Sequence, residues 1–535
     1  MTKTVCCRIK PYIQPFERKL ALAELASLAG TQPRALSNHG PEPLDFEVTT
    51  KAATKDLADR LSYWESITDG QKLYTAQVLR EGTVNLARNG MRTVTISQLS
   101  LFAHENPLPR RRVLRYGPHG IHEYRGKFFP QLVRALINIA GVKNGGVVAD
   151  PMCGSGTTLV EAAVSGCQTL GLDMNPLSVL MARTKCALLT VDPHRIEENF
   201  SMVRNGLASN SLAGSIHRSY FASLPIVDQN YLRCWFSEDV LLRLDQIQLI
   251  ISRIQDRPIR DFMFLSLSNI IREVSWQKED DLRVRKEIRE GKDNIDPVDR
   301  FIVELEHSVR TLLSFLHQKQ NLLVGKHDVT EGDARETTTI WRRWIGKVDA
   351  VITSPPYATA LPYLDTDRLS LCYFGLLSRA LHRHRDRGMI GNREISDRER
   401  CQYWEVFQNN KSKLPRSVGA LVERVYKLNS NFPVGFRRKN LSSLLAKYFL
   451  DMRFVLIEVE KLLKQAGQAF IVVGDNHTIA GGVRMEIPTT KLLADIAASV
   501  GFQIREQITM DMLVPRDIFR KNAVKSERIL WLRRE

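Results

Sequence analysis

The 535-residue sequence lacks the marks of an exported, membrane-bound or metal-stapled protein. Its eight cysteines, Cys6, Cys7, Cys153, Cys167, Cys186, Cys234, Cys372 and Cys401, include no CxxC pair and no Cys/His spacing suited to zinc. That excludes a small disulfide scaffold, predicts no metal site, and fits a reduced, cytoplasmic compartment. No run of about 18 apolar residues occurs, and the amino-terminal MTKTVCCRIKPYIQPFERKL has no signal-peptide core. A soluble protein with no membrane partner is expected. Repeats and low-complexity blocks are also missing. What is present is ordinary in bulk, with 43% hydrophobic and 25% charged residues, enough for two or three domains or one enzyme core with large insertions. Lysine and arginine (76) outnumber aspartate and glutamate (59), a formal charge of +17. Such a surplus favours a polyanionic partner, because clustered cations gain affinity by displacing counterions from phosphates.

The texture changes along the chain. Residues 1 to about 100 read as mostly helical, with helical spacing in FERKLALAELASLAG and KDLADRLSYWESI and a loop, GTQPRALSNHGPEPLD, between them. A basic linker, Pro109 to Arg112, leads into short apolar runs alternating with amphipathic segments, which predicts an α/β fold with a parallel sheet.

In GGVVADPMCGSGTTLVEAAVSGCQTLGLDMNP, a buried strand at Gly146 to Ala149 is followed by a glycine loop at Asp150 to Thr157. A helix over Leu159 to Ser165 and a second strand ending at Asp173 come next. Small residues let the loop backbone approach a ligand closely. A phosphate loop would need Lys after Gly156, where Thr157 stands, and a dinucleotide loop would need a third glycine that GSGTTL lacks. Asp150 at the strand end would repel a pyrophosphate. It suits a cofactor carrying a cationic amino-acid moiety, such as S-adenosylmethionine, with Asp173 placed to accept hydrogen bonds from ribose.

A second constellation follows in KVDAVITSPPYATALPYLD, where the strand Val348 to Ile352 stops at Thr353-Ser354-Pro355-Pro356-Tyr357. Two prolines fix the main chain and remove two donors, leaving carbonyls beside a serine hydroxyl and an aromatic ring. Such acceptors can hold the hydrogens of an exocyclic amine, favouring a pyramidal nitrogen whose lone pair faces a methyl donor. Tyr357 could stack on the base.

DPMCGSGTT and TSPPY resemble motifs I and IV of the S-adenosylmethionine-dependent methyltransferases that modify exocyclic amino groups in DNA. HGIHEYRGKFFPQLVRALI (119–137) resembles their motif X, GLDMNP motif II and EGDAR motif III; GQAFIVVGDN, the helix near Leu492 to Ala498 and SERILWLRR also fit. The ordered set spans about half the chain. The resemblance implies a class I methyltransferase, a Rossmann-like, mostly parallel doubly wound sheet. By the same resemblance Asp150, Cys153, Gly154, Ser155 and Gly156 surround the methionine part of the cofactor, Asp173 the ribose and Asp333 the adenine amine. Phe128 and Phe129 would wall the cofactor, with a core role nearly as plausible for both. Ser354, Pro355, Pro356 and Tyr357 would form the catalytic group. A serine at the first position of that group usually accompanies cytosine N4 chemistry. Adenine N6, guanine N2 in RNA, and a catalytically silent DNA-binding partner are the alternatives. Neither favoured reaction needs a cysteine nucleophile, so Cys153 and Cys372 are expected to pack.

The family pattern is departed from in one respect, since no separate target-recognition domain follows the last strand. Two insertions are expected to supply that function: residues 191–320, which look helical throughout, and residues 381–440. The latter hold 14 Lys/Arg against 6 Asp/Glu, nearly half of the whole excess, interleaved with Tyr403, Trp404, Phe407, Tyr426, Phe432 and Phe436. This is the composition of a groove along a phosphate backbone. Double-stranded DNA is the expected partner, contacted at Arg437, Arg438 and Lys439, with the Arg110 to Arg112 run in the same clamp. The target base must leave the stack to reach Ser354. A site-specific enzyme of a restriction-modification or phage-defence system, with a partner protein from that system, is the setting this implies. The core is expected in three segments, a cofactor-binding half at 101–190, the catalytic strands at 321–380 and a carboxyl-terminal part at 441–535, after an amino-terminal helical domain at 1–100.

Overall fold

The computed structural model describes residues 2–36, 42–87, 94–102, 108–124, 126, 129–209, 219–278, 286, 295–318, 324–358, 363–392, 395–511 and 526–535. Its centre is a seven-stranded sheet. Numbering that sheet's strands alone, these are β1 (Val147–Asp150), β2 (Gln168–Asp173), β3 (His327–Glu331), β4 (Val348–Thr353), β5 (Leu463–Gly474), β6 (Phe502–Asp511) and β7 (Ser526–Arg534). The spatial order is β6-β7-β5-β4-β1-β2-β3. The pairs β5/β4, β4/β1, β1/β2 and β2/β3 are parallel, and only β7 runs antiparallel to its neighbours. The Rossmann-like, mostly parallel α/β sheet expected from the sequence is thus present.

Burial on both faces explains the continuous apolar runs of the inner strands, since a parallel sheet is covered on both sides. Side chains alternate between two cores. Val148, Ala350, Ile352, Phe470 and Val472 face one core, shared with the helix Pro130–Ile139 and the amino-terminal unit. Ala149, Val351, Ile471 and Val473 face the other, formed with the long helix Phe436–Leu462, the helix Thr489–Ser499 and buried residues of the 397–430 helices, including Phe407 and Val422. A third core packs the helix after the glycine loop, at Leu159, Val160 and Ala163, against the helices between 193 and 318. The described parts of 191–320 are helical as expected, and most of the charged stretch from 279 to 294 lies outside the described residues.

The amino-terminal segment corrects the sequence reading. It carries a five-stranded sheet whose strands pair in the order 34–35, 45–50, 3–9, 64–69, 71–74, every pair antiparallel. With the helices Pro15–Ala29 and Thr54–Arg60, residues 3–69 make a split β-α-β-β-α-β motif. The helical period of KDLADRL ends at Arg60, where Leu61 turns extended at ψ 135°, and Trp64–Asp69 pairs with Lys3–Ile9. Sheet pairing overrides local propensity there. The motif was partly visible in KTVCCRI, whose Val5, Cys7 and Ile9 are buried while the residues between them are not.

Candidate active site

The chain runs from β1 out to β2 and β3, then returns to place β4 on the other side of β1. Ligands of open α/β sheets bind outside the carboxyl ends of the strands at such a reversal. Asp150 ends β1 and Thr353 ends β4, so the structure brings the glycine loop and the TSPPY segment side by side. Thr158 at the start of the following helix donates to the Ile352 carbonyl at 3.1 Å, tying the two together.

The loop's shape depends on glycine at two points. Gly154 and Gly156 have φ of +49° and +81°, a region costly for residues with a Cβ. A Cβ on Gly156 would stand 2.8 Å from Ala182 Cα, and one on Gly154 would stand 2.9 Å from the Tyr124 ring. The amides are used internally: Cys153 N–H donates to Leu172 O (2.9 Å), Gly156 N–H to Cys153 O (2.8 Å) and Gly154 N–H to Asp173 Oδ2 (2.8 Å). Those three donors are therefore not arranged as a phosphate cradle. The Cys153 side chain is buried, and burial pushes its thiol well above the ordinary range, which removes it as a nucleophile.

Three carboxylates surround the mouth of this loop. Asp150 is 1% exposed. Burial lifts its carboxyl to about 7, opposed by the Thr353 and Thr158 hydroxyls and the Met152 N–H. Oδ1 accepts from Met152 N at 3.1 Å, whereas Oδ2 has no partner in hydrogen-bond geometry, and neither do the buried Thr353 Oγ1 and Ser155 Oγ. Asp173 is raised to about 6 by burial, with Asn175 and Gly154 N–H groups on its two oxygens. With Met174 N–H as a third donor nearby, the carboxylate keeps room for one further donor. The sequence reading missed the third, Asp367, also raised to about 6 by burial and accepting from Asn175 Nδ2 at 2.8 Å. One buried and two half-buried carboxylates, with an orphaned acceptor on the buried Asp150, fit a cationic, hydroxyl-bearing ligand such as S-adenosylmethionine.

Other expected residues fall differently. Asp333 follows the end of β3, but its carboxylate caps residues 334–336 and pairs with Arg335, which also binds Asp451 at 2.7 Å. Phe129 lies beneath the Arg112 guanidinium, 5.1 Å from its ring centre, and packs against the core shared with the amino-terminal unit. Phe128 lies outside the described residues. An aromatic that does stand beside the loop is Tyr124, from the same motif X segment. Pro355 is buried; Ser354, Pro356 and Tyr357 are half-buried. The Tyr357 hydroxyl donates to Glu527 at the start of β7, a carboxyl raised by burial. Neither Glu527 nor Asp367 stood out in the sequence, because only tertiary packing brings them to the site.

Of the basic groups, Arg112 is corrected: it pairs with the buried Glu17 at 2.6 Å, so it serves packing. Arg385, Arg387, Arg400 and Lys411 likewise pair with Glu331, Glu399, Asp397 and Glu423. Arg437, Arg438 and Lys439 are exposed. Among the described residues no cluster of three or more His, Cys, Asp or Glu could hold a metal, and no helix is long and apolar enough to cross a membrane.

Residues 122–187, which include the glycine loop and Asp173, match the family model described as RMKL-like, methyltransferase domain. The chain carries a methyltransferase domain. Its sheet is consistent with the class I methyltransferase fold. The chain is 24% identical over 267 residues to the type II methyltransferase M.MvaI of Kocuria varians, covering 48% of this chain and 58% of that protein. It is 22% identical over 421 residues to the type II methyltransferase M.BsoBI of Geobacillus stearothermophilus, 72% of this chain and 78% of that one. A shorter stretch of 50 residues, 9% of this chain and 14% of the other, is 44% identical to a tRNA (guanine(10)-N2)-dimethyltransferase of Methanocaldococcus jannaschii. The chain is thus similar, at low identity, to proteins named type II methyltransferases, and it spans 58% of the length of the first of them.

Proposed function

We infer that this methyltransferase uses S-adenosylmethionine to methylate an exocyclic amine of a base extruded from DNA, with cytosine N4 the preferred target. The observation that carries the reading is the adjacency, at the sheet's reversal, of the carboxylate-lined glycine loop and the Ser354-Pro355-Pro356-Tyr357 segment. The cofactor supplies an electrophilic methyl group on a sulfonium. Asp150 and Asp367 would face its ammonium and Asp173 its ribose, while Ser354 and the carbonyls before the prolines accept the amine's hydrogens. The methyl group would pass from the cofactor's sulfur to the amine nitrogen, and the Ser354 hydroxyl would relay the proton that the amine gives up to solvent. Tyr357, held through its hydroxyl by Glu527, offers its ring to the base.

A duplex partner is supported by Arg437, Arg438 and Lys439 in the first turn of a 27-residue helix. The helix dipole is positive there, so cations are opposed by it. Three consecutive exposed cations placed against the helix dipole are expected of a binding site. Homology to proteins named type II methyltransferases points the same way, and a restriction or defence setting with its partner protein belongs to this proposal.

Guanine N2 in RNA is the second reading, favoured by the short match to the tRNA enzyme. The outward face of the amino-terminal sheet weighs against it: among the described residues it carries Thr4, Cys6, Arg8, Glu47, Thr49 and Thr68 with one exposed aromatic, Tyr74, whose ring lies under Lys72, where a single-stranded RNA platform stacks two or three bases on several aromatics. Incubation with labelled S-adenosylmethionine and either plasmid DNA or bulk tRNA separates the two. Label in DNA is expected; label in tRNA alone overturns the proposal. The Ser354→Ala variant should transfer no methyl group while binding the cofactor nearly as well as wild type, and loss of cofactor binding would place Ser354 wrongly.

A further inference from the structure

This inference rests on the DNA reading above and concerns how a paired base reaches Ser354. A cavity of about 650 Å³ opens beside the TSPPY segment, with Ala358 in its wall. The helix Arg379–Gly388, the start of the helix Phe436–Leu462, and His477 and Thr478 of the hairpin 476–487 form other walls. Six arginines line it, at 368, 379, 383, 387, 437 and 438, against Asp365, Asp386 and Glu399. Arg368 pairs with Asp365 and Arg387 with Glu399, which leaves the lining strongly cationic. A neutral base gains nothing from that charge; a phosphodiester does.

At the rim stands Phe436, 52% exposed. The insertion's other exposed aromatics have neighbours within the protein. Tyr426 stacks on Trp404 with ring centres 3.9 Å apart, and the Phe432 ring lies 3.0 Å from where a Cβ on Gly481 would be. Among the described residues Phe436 has no stacking or cation–π contact. It is the first residue of a long helix and is followed directly by Arg437 and Arg438, so an apolar ring is held rigidly beside cations.

The geometry points to a division of labour: the cavity holds the phosphodiester backbone flanking the extruded nucleotide, and Phe436 fills the gap its base leaves in the stack. Extrusion costs a few kcal/mol of stacking and pairing, least for a base already unpaired, and an apolar wedge recovers part of that cost. The two parts make separable predictions.

The test maps the modified sequence with the wild-type enzyme, then builds duplexes carrying that sequence with the target base either paired or opposite an abasic position. Phe436→Ala should lower kcat/KM about tenfold on the paired target and less than twofold on the unpaired one. Phe436→Leu should restore most of the loss. Arg383→Gln and Arg438→Gln should weaken binding to both duplexes and reduce its salt dependence. Equal losses for Phe436→Ala on the two duplexes, or none on either, overturn the wedge. Unchanged salt dependence in both arginine variants overturns the phosphate assignment. No transfer to any DNA by the wild-type protein overturns the underlying DNA reading instead.

Discussion

Burial holds the Asp150 carboxyl near 7 and that of Asp173 near 6, against about 3.9 for an unfolded aspartate. A raised carboxyl means that the folded, ligand-free protein binds protons more tightly than the unfolded chain between about pH 4 and 7. The contribution of these groups to stability is therefore full below the unfolded value and is lost as pH rises through the folded one. A cationic ligand reverses the preference by favouring the ionised form. Cofactor affinity, followed by equilibrium dialysis, should fall up to about tenfold per pH unit below 7. Asp150→Asn should flatten that profile and lower affinity at least about tenfold while raising the melting temperature of the ligand-free protein at pH 7.5. A variant with wild-type affinity would contradict the assignment. Glu527 acts through Tyr357, so Glu527→Ala should slow transfer with cofactor affinity unchanged, and Glu527→Gln should recover part of the rate.

At the scale of elements, the loop between β1 and its helix has the least tolerance. Gly156→Ala combines a left-handed φ with an approach of 2.8 Å to Ala182, and thermal denaturation should register a loss of about 2 kcal/mol or more. The strands of this region were legible because a parallel strand covered on both faces is predominantly apolar, Asp349 being the one polar interruption between Val348 and Ile352. Val348 to Ile352 was read from the sequence, and the structure extends it only to Thr353. The amino-terminal sheet was not legible, since its short strands are stabilised by pairing between segments some 40 to 60 residues apart and KDLADRL carries a true helical period into the turn before Trp64. In the site, Asp150, Asp173 and TSPPY announced themselves by standing at strand ends. Asp367, Glu527 and Tyr124 carry no local signal, and their roles emerge only when loops and the last strand converge. Asp333 was implied by the family resemblance, and its carboxylate pairs with Arg335, two residues on.

Across the whole molecule, a buried polar network couples the amino-terminal sheet to the glycine-loop helix. Lys10 binds Glu81 at 2.7 Å; Gln77 joins Glu81 to the Tyr116 hydroxyl, which donates to Glu161 at 3.0 Å. Glu161 also meets His119 and Arg134 at 2.8 and 2.9 Å. Burial alone would raise the Glu161 carboxyl, but Arg134 and His119 hold it down at about 2. Removing one partner of such a buried set leaves an uncompensated charge, so Glu161→Gln should cost about 3 to 5 kcal/mol in chemical denaturation. The surface charge has a different distribution: Arg385, Arg387, Arg400 and Lys411 form ion pairs within the protein, and Arg437, Arg438 and Lys439 are exposed at the start of the long helix that borders the arginine-lined cavity. Neutralising all three should reduce the salt slope of DNA binding by up to about 0.9 for each phosphate that is no longer neutralised. The most direct test of the central claim is nucleoside analysis of plasmid DNA after incubation with the protein and labelled S-adenosylmethionine. N4-methylcytosine, absent when Ser354→Ala replaces wild type, is the predicted result; N6-methyladenine would change the target base while keeping the site, and an unmodified plasmid beside modified tRNA would contradict the account.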